Sequence, residues 1–508
     1  DTLGRRLIRS ARRHWGRFAM ADSTGRELTY GRMLAGSLIV AGQVAKLPEA
    51  EMVGVLLPAS VAGALVNIGI TLAGRVPVNL NFTAGSEAMA SAIAQCHIRS
   101  IVTSKTFLAK VRLSTLPGMV YVEDLLGRVT TFAKIRAWLA ARFVPAALLT
   151  RGRHTPASLA AVIFSSGSTG VPKGVMLSHY NLIANIEAIA QLFSLDAQDR
   201  IVGVLPFFHS FGFNITIWFP LLSGCGVVYH PNPTDAKAIG ELTRKYQGTL
   251  LVSTPTFCST YTRKCTADEF ASLRYVLVGA EKLREPVAAA FREKFGVPLL
   301  EGYGCTEMAP VVAVNVPDYE AGGNKQLGHK PGTVGHPLPG VAARVVDPVT
   351  LQPLDRGLAH NNEGLLLVKG SNRMMGYLGQ PERTAEAFHQ GWYITGDIAR
   401  IDNEGFIHIT DRLSRFSKIG GEMVPHIRIE EAIAAVIGDA PCAVTAIADV
   451  ERGERLVVLY AQSDLSPADL WQRISETDLP RLWLPKRENF YPVEALPLLG
   501  TGKLDLRG

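Results

Sequence analysis

The chain contains no C-x-x-C pair. Its six cysteines (Cys96, Cys225, Cys258, Cys265, Cys305 and Cys442) stand apart. That excludes a zinc knuckle and a dithiol redox motif, and it fits a reducing compartment, so a cytoplasmic location is expected. Charge is also scarce: 19% of residues are charged, against roughly 25% in an average domain. The net charge of +7 over 508 residues is too thin to point to nucleic acid, though it suits an acidic partner or an anionic membrane surface. There is no internal repeat and no low-complexity tract, which argues against a solenoid or a disordered chain. No apolar run is long and unbroken. Residues 52–74 carry no formal charge but are interrupted by Gly54, Pro58, Gly63 and Asn67. Residues 201–234 are equally uncharged but hold Pro206, His209, Gly212, Asn214 and Pro220. Both read as buried strand, turn and buried helix rather than membrane spans. The first residues do not read as a signal peptide, and the sequence opens on Asp1 without Met, so a segment of a longer protein is expected.

What remains is a well-packed globular chain, 47% hydrophobic, long enough for about three domains. Apolar runs at 53–57, 101–102, 161–164, 201–205, 226–229, 249–252 and 275–278 alternate with amphipathic helical segments. That pattern predicts α/β architecture with covered parallel sheets. After about residue 340 shorter strands (343–346, 364–368, 405–409) predict a small β-rich subdomain. The C-terminal stretch predicts a further mixed unit, with helices near 429–436 and 467–477 and strands near 443–448 and 456–462.

The sharpest local motif is FSSGSTGVPKG at 164–174. It follows a strand signal and precedes a helix signal, with Ser178 as N-cap and Leu182, Ile186, Ile189 and Phe193 as the apolar stripe. Its glycines would let backbone amides approach phosphate oxygens. Its hydroxyls would donate, and Lys173 would add charge. It is not a Walker A loop. Counted from Gly167, Pro172 stands where the second glycine is required, and Gly174 rather than Ser or Thr follows Lys173. A plain Gly/Ser connector is the bland alternative.

Further motifs follow in order: LPFFHSFG at 205–212, VGAEK at 278–282, EGYGCTE at 301–307, WYITGD at 392–397, DRLSRFSKIGGE at 411–422 and LLGTGK at 498–503. Together with the 164–174 loop they resemble the adenylate-forming superfamily of acyl-CoA synthetases, luciferases and peptide-synthetase adenylation domains. The resemblance covers nearly the whole chain. It implies a large N-terminal domain, 1–411, with two α/β sheets and a small β subdomain. A hinge at 412–415 and a small mobile α+β C-terminal domain, 416–508, would follow. It implies an enzyme that joins a carboxylate to the α-phosphorus of ATP with Mg²⁺, then passes the acyl group to a thiol. Two anions must meet, so positioning and positive charge would carry the catalysis.

By that resemblance Ser165, Ser166, Gly167, Ser168, Thr169, Gly170 and Lys173 would hold the β- and γ-phosphates. Thr306 would touch the α-phosphate and Glu307 would hold Mg²⁺, as a hard carboxylate can. Gly302 and Tyr303 would face adenine, Tyr303 stacking on it, and Gly279, Ala280 and Glu281 would line the base pocket. Asp397 and Arg412 would hold the ribose. Lys503 would bridge the carboxylate and α-phosphate, delivered by the moving domain. His209 would gate the substrate pocket, among Phe207, Phe208, Phe211 and Phe213, with Trp218 and Phe219 suited to an aliphatic tail. Read singly, these residues have plainer explanations. Glu307 is a solvated loop acid, Tyr303 a packing residue, Asp397 a turn aspartate and His209 a core histidine. Arg415 stands where the superfamily usually has Asp or Lys at its pivot.

The wording around Arg415–Phe416, 421–424, 302–314 and 496–503 resembles one branch: the acyl-[acyl-carrier-protein] synthetase modules joined to 2-acylglycerophosphoethanolamine acyltransferases. That implies a fatty acid substrate, the phosphopantetheine thiol of acyl carrier protein as acceptor, and an upstream lysophospholipid acyltransferase domain. The alternatives are a fatty acyl-CoA ligase and a non-catalytic nucleotide- or lipid-binding module. The acyltransferase signature H-x-x-x-x-D has one formal match, His230 to Asp235, in a Pro-rich loop. Acyl carrier protein is acidic and would need a basic docking patch. Arg5, Arg6, Arg9, Arg12, Arg13 and Arg17 interleave with Leu3, Leu7, Ala11, Trp15 and Phe18. No acidic residue occurs from 125 to 185, where Lys134, Arg136, Arg142, Arg151 and Arg153 accompany Trp138, Leu139 and Phe143. Peripheral contact with the inner face of a membrane is therefore expected, beside the reading of ordinary solvated helices.

Overall fold

The computed structural model describes residues 1–508 apart from 128, 153, 166–171, 355–362, 420–421, 439, 450–452, 478 and 497–508. The chain divides into two compact units, residues 1–343 with 368–393, and residues 344–367 with 394–508.

The first unit is built on two α/β sheets. In the larger, strands run in the order His336–Pro337, Val311–Val314, Leu299–Gly304, Tyr275–Val278, Leu250–Ser253, Arg200–Gly203, Gly226–Tyr229, Phe18–Asp22 and Glu27–Thr29. The central strands pair in parallel, and antiparallel pairing is confined to the two ends. A second sheet holds four parallel strands, Val76–Asn79, Met52–Leu56, Ile101–Thr103 and Met119–Tyr121. Parallel strands covered on both faces need runs of apolar residues, and Leu250–Ser253 and Met52–Leu56 are buried at every position. The two uncharged stretches fold as expected. The first gives Met52–Leu56 and the helix Val61–Leu72. The second gives Arg200–Gly203, short helices over 210–223 and Gly226–Tyr229. Among the described residues no helix is long and apolar enough to cross a membrane. The helix Val61–Leu72 is capped by Ser60, whose hydroxyl accepts from Gly63 N at 3.1 Å. It packs so closely on the helix Tyr30–Val44 that a Cβ on Gly69 would lie 2.5 Å from Val40.

One strand departs from expectation. Leu159–Ser165 is not part of a parallel sheet. It forms an antiparallel hairpin with Lys173–Ser178, and Tyr377 in Gly376–Tyr377 pairs on the far side with Val175. The 164–174 motif thus joins two strands, and the helix His179–Leu192 begins only after the second. The alternation of buried Val175 and Leu177 in KGVMLS is a strand signal hidden behind the loop's glycines. Ser178 caps the helix as expected, in a capping box with Asn181.

The arginine-rich segment 5–17 also has a fixed place. In the helix Leu3–Arg13, Leu3, Leu7, Ile8 and Ala11 are fully buried, so its apolar stripe belongs to the protein core and not to a membrane. Arg12 donates from Nε to the carbonyl of Ala141 at 2.9 Å and also to the carbonyl of Val144.

In the second unit, Trp392–Ile401 and Ile407–Arg412 form an antiparallel hairpin with Asp397 opposite Arg412. Beyond it, strands Glu422–Pro425, Phe416–Ile419, Gly453–Tyr460 and Cys442–Asp449 make one sheet, with Phe490–Pro492 parallel to Gly453–Tyr460. The helices His426–Ile437 and Pro467–Ser475 bring Ile429, Ile433, Leu470 and Ile474 into a core with Val444, Val458 and Tyr460. This is the mixed α+β unit expected for the C-terminal stretch.

Candidate active site

Open parallel sheets bind ligands beyond the carboxyl ends of their strands, where neighbouring connections depart in opposite directions. Here Arg200–Gly203 is followed in sequence by its neighbour Gly226–Tyr229, whereas Leu250–Ser253 on its other side leads away to Tyr275–Val278. The switch point lies between the carboxyl ends of Arg200–Gly203 and Leu250–Ser253. Segments 204–210, 279–281 and 302–307 all leave the carboxyl edge of this sheet. The sequence motifs LPFFHSFG, VGAEK and EGYGCTE are therefore brought to one edge.

At its centre is the turn 305–310. Thr306 Oγ1 lies 3.2 Å from Ser210 Oγ. Glu307 is buried, and its Oε1 accepts from the Tyr377 hydroxyl at 2.9 Å. It is not the solvated acid that its loop position would give. Tyr377 is held well above its ordinary range, first by burial and then by the Glu307 charge, so it stays a donor. Lys173 Nζ sits 5.1 Å above the Tyr377 ring. Leu378 N donates to Gly174 O, Met375 N to Met176 O and Met374 N to Glu307 O. The base of the 164–174 loop, Tyr377 and Glu307 are therefore fastened together by one small sheet.

Three buried asparagines fix the same turn. Asn214 Nδ2 donates to Ala309 O at 2.7 Å, Asn372 Nδ2 to Met308 O at 2.6 Å, and Asn185 Nδ2 to Val311 O at 2.8 Å. Gly304 is required there, since a Cβ would lie 2.2 Å from Pro310 O.

Gly279 and Gly302 face each other closely: a Cβ on Gly279 would be 3.2 Å from Gly302 O. Ala280 is exposed with φ of +72°, a conformation uncommon for a residue with a Cβ. Glu281 Oε2 accepts from Thr256 Oγ1 at 2.6 Å and Thr256 N at 3.3 Å, at the start of the helix Pro255–Lys264. Tyr303 is half-buried, in register with Ala313. His209 packs on Phe208 with ring centroids 5.0 Å apart, and Phe208 packs in turn on Phe82. Phe207, Phe213, Trp218 and Phe219 are buried core residues. Glu301 is buried, accepts from Leu283 N at 3.0 Å, and its carboxyl is pushed up to about 7 by burial.

In the second unit Asp397 is buried and accepts from Arg412 Nε at 2.9 Å. Asp397 N donates to Thr395 Oγ1 at 3.0 Å. Neighbouring Asp411 accepts from Arg412 N and Ile427 N, and burial pushes it up to about 6. Arg415 pairs with Glu430, and Ser417 with His426. Of the remaining candidates, Ser165 ends its strand opposite Lys173. Ser166, Gly167, Ser168, Thr169, Gly170 and Lys503 lie outside the described residues. The acyltransferase-like pair serves another purpose: His230 Nε2 is 3.4 Å from Asp235 Oδ2, but Asp235 caps the helix Ala236–Tyr246 through Ala238 N.

Ser210, Tyr377, Asn185, Asn214 and Asn372 carried no sequence expectation. Asparagine inside apolar segments was the one available signal, since a buried amide must find partners.

Comparison with known proteins identifies the family. The profile of the AMP-binding enzymes matches residues 7–378. The chain belongs to that family, the adenylate-forming enzymes. It is accordingly an AMP-forming ligase that uses ATP to make an acyl adenylate. Feruloyl-CoA synthase of an Amycolatopsis species is 30% identical over 348 residues, covering 68% of this chain and 67% of its own. The long-chain-fatty-acid–CoA ligase of Bacillus subtilis is 26% identical over 521 residues, covering 94% and 89%. The ATP-bound structure of MatB from Rhodopseudomonas palustris superposes with a TM-score of 0.82 at 25% identity, covering 99% and 97%.

Proposed function

We propose that the chain activates a fatty acid with ATP and transfers the acyl group to the phosphopantetheine thiol of acyl carrier protein. The observation that carries the adenylation half is the fastening of Lys173 and Glu307 through Tyr377. A polyphosphate cradle and an acidic residue must hold fixed positions if charge is to be neutralised as the carboxylate meets the α-phosphorus. In this reading Ser165, Ser166, Gly167, Ser168, Thr169, Gly170 and Lys173 hold the β- and γ-phosphates. Thr306 donates to the α-phosphate, and Gly279, Ala280, Glu281, Gly302 and Tyr303 form the base pocket. Asp397 accepts from the ribose hydroxyls, with Arg412 beside it. Lys503 bridges carboxylate and α-phosphate, and His209 borders the acyl pocket.

Mg²⁺ fits this set. Glu307 is a buried carboxylate whose Oε1 is fixed by the Tyr377 hydroxyl, and Mg²⁺ is commonly held by one or two carboxylates plus substrate phosphates. Glu307 would hold it, and the ion would supply positive charge at the phosphates.

The second half-reaction needs a different face of the site, and a hinge at 412–415 would let residues 416–508 turn after the adenylate forms. The acceptor rests on the wording at 302–314, 415–416, 421–424 and 496–503, and an upstream lysophospholipid acyltransferase domain would use the product. A second reading, fatty acyl-CoA ligase, is favoured by the long-chain-fatty-acid–CoA ligases among the relatives. Thioester formation with holo-acyl carrier protein and with CoA, each with fatty acids of graded length, separates the two. Preference for CoA would overturn the carrier-protein reading. Absence of acid-dependent pyrophosphate release would leave a non-catalytic binding module.

A further inference from the structure

The helix Thr131–Phe143 is built inside out. Its inward side is alanine: Ala141 is buried and Ala133, Ala137 and Ala140 are half-buried. These small side chains let it lie close to the rest of the first unit. Its outward side carries the large apolar residues. Phe132 is 74% exposed, Ile135 54%, Leu139 46% and Phe143 71%. At 100° per residue these four fall within about 80° of arc. Leu148, in the next helical turn, Ala146–Leu149, is also 75% exposed. An ordinary surface helix has the opposite arrangement, and a contiguous exposed apolar patch marks a binding surface.

The rim of the patch is basic. Arg136 borders the arc on one side and Arg142 on the other, both exposed, with Lys134 further round. No acidic residue occurs in the sequence from 125 to 185. The helix is anchored from beneath. Trp138 packs edge-on against Trp15 at 5.7 Å, Arg142 lies over the Trp15 ring, and Arg12 caps the carbonyls of Ala141 and Val144. Arg12 of Leu3–Arg13 thus holds this helix in place, and that segment's own apolar residues are consumed in the core.

From this arrangement we infer that the outward face of Thr131–Phe143 docks on an anionic lipid surface, with Phe132, Ile135, Leu139 and Phe143 entering the headgroup region and Arg136 and Arg142 meeting the lipid charge. The apolar arc bordered by cations matches an interfacial helix lying in the membrane plane. An acidic protein helix would be met by charge pairs rather than by exposed phenylalanines. The inference does not depend on which thiol accepts the acyl group.

The test is co-flotation of the full chain with vesicles of phosphatidylglycerol and phosphatidylcholine, or of phosphatidylcholine alone. The chain should float with the anionic vesicles, and less so at high salt. Replacing all four residues (Phe132→Ser, Ile135→Ser, Leu139→Ser and Phe143→Ser) should lower partitioning at least ~30-fold. Melting temperature and pyrophosphate release should be unchanged. Arg136→Glu, which leaves the apolar residues and the Arg142–Trp15 contact in place, should cut the preference for anionic vesicles by roughly 5-fold or more. Unchanged flotation of either variant overturns the inference. So does a wild-type chain that ignores vesicles but is a dimer broken by the serine substitutions, since the patch then covers a second copy. A serine variant whose only defect is a raised KM for holo-acyl carrier protein would reassign the patch to the carrier.

Discussion

The turn 305–310 in the first unit and the hairpin 397–412 in the second both carry motif residues, but they are held in different ways. Glu307 and Thr306 depend on residues remote in sequence: Tyr377, Ser210, Asn214 and Asn372. Asp397 and Arg412 depend on each other and on near neighbours, Thr395 and Asp411. The first arrangement is rigid only when the whole unit is folded. The second is set by the register of one antiparallel pair. Substitutions around the turn should therefore spread further than equivalent ones in the hairpin.

The largest effect is expected at Glu307. Glu307→Gln keeps the shape and an acceptor for the Tyr377 hydroxyl but removes the charge. Pyrophosphate release should fall at least ~100-fold, with the Mg²⁺ requirement shifted upward and melting little changed. Full activity with an unshifted Mg²⁺ titration would remove the ion from this residue.

Each region also contains a buried acid, and the two should respond to pH with the same sign. Glu301 is raised from 4.5 to about 7 and Asp411 from 3.8 to about 6, burial being the main cause in both. A carboxyl with a raised folded pKa binds its proton more tightly when folded. Its contribution is complete below the unfolded value and is lost as pH rises through the folded one. Glu301 between pH 4.5 and 7, and Asp411 between pH 3.8 and 6, should each remove up to about 1.4 kcal/mol per pH unit. Asp411 should finish first. Urea titrations of Glu301→Gln and Asp411→Asn across this range should each show a flatter pH dependence than the parent. A parallel profile for either variant would mean that its acid keeps an ordinary pKa.

Asn372→Ala tests the remote support. It removes the Asn372 donor from Met308 O and one of two donors from Val311 O, which keeps Asn185. A loss of about 1–3 kcal/mol in urea is expected. Because the turn also carries Thr306, pyrophosphate release should fall too. Asn372→Asp should not rescue it, since a carboxylate brings no donor.

The fold was legible in proportion to how repetitive its signals were. Buried parallel strands such as Gly226–Tyr229 and Tyr275–Val278 announce themselves as short apolar runs between turn residues, and they fell where expected. Lys173–Ser178 did not, because its first residues complete a Gly- and Lys-containing motif that reads as loop. The site was legible at motif residues, through resemblance. Its supports were not. Nothing local to Asn214 or Asn372 says that its amide will meet residues 308–311, because that meeting is created by tertiary folding. The two basic helices teach the same lesson. Leu3–Arg13 and Thr131–Phe143 both mix arginines with apolar residues. Only packing decides that Leu7 and Ile8 lie inside while Phe132 and Phe143 stay out.

The smallest effect belongs to the hairpin. The Arg412 side chain is 63% exposed although its partner Asp397 is only 5% exposed. A pair open to solvent on one side contributes about 0–1 kcal/mol, so Arg412→Lys should barely move the urea midpoint. Register would still hold Asp397 in place through the Thr395 hydroxyl. Lysine, however, lacks the planar fork that lets Arg412 hold Asp397 through Nε and, on the proposed reading, offer further N–H groups to a ribose oxygen. The KM for ATP should rise by roughly 5-fold, the loss of one charge-assisted hydrogen bond, while kcat stays near that of the parent. If kcat fell as far as KM rose, the arginine would be acting on the reacting centre, and the hairpin would belong with the turn 305–310 rather than in contrast to it.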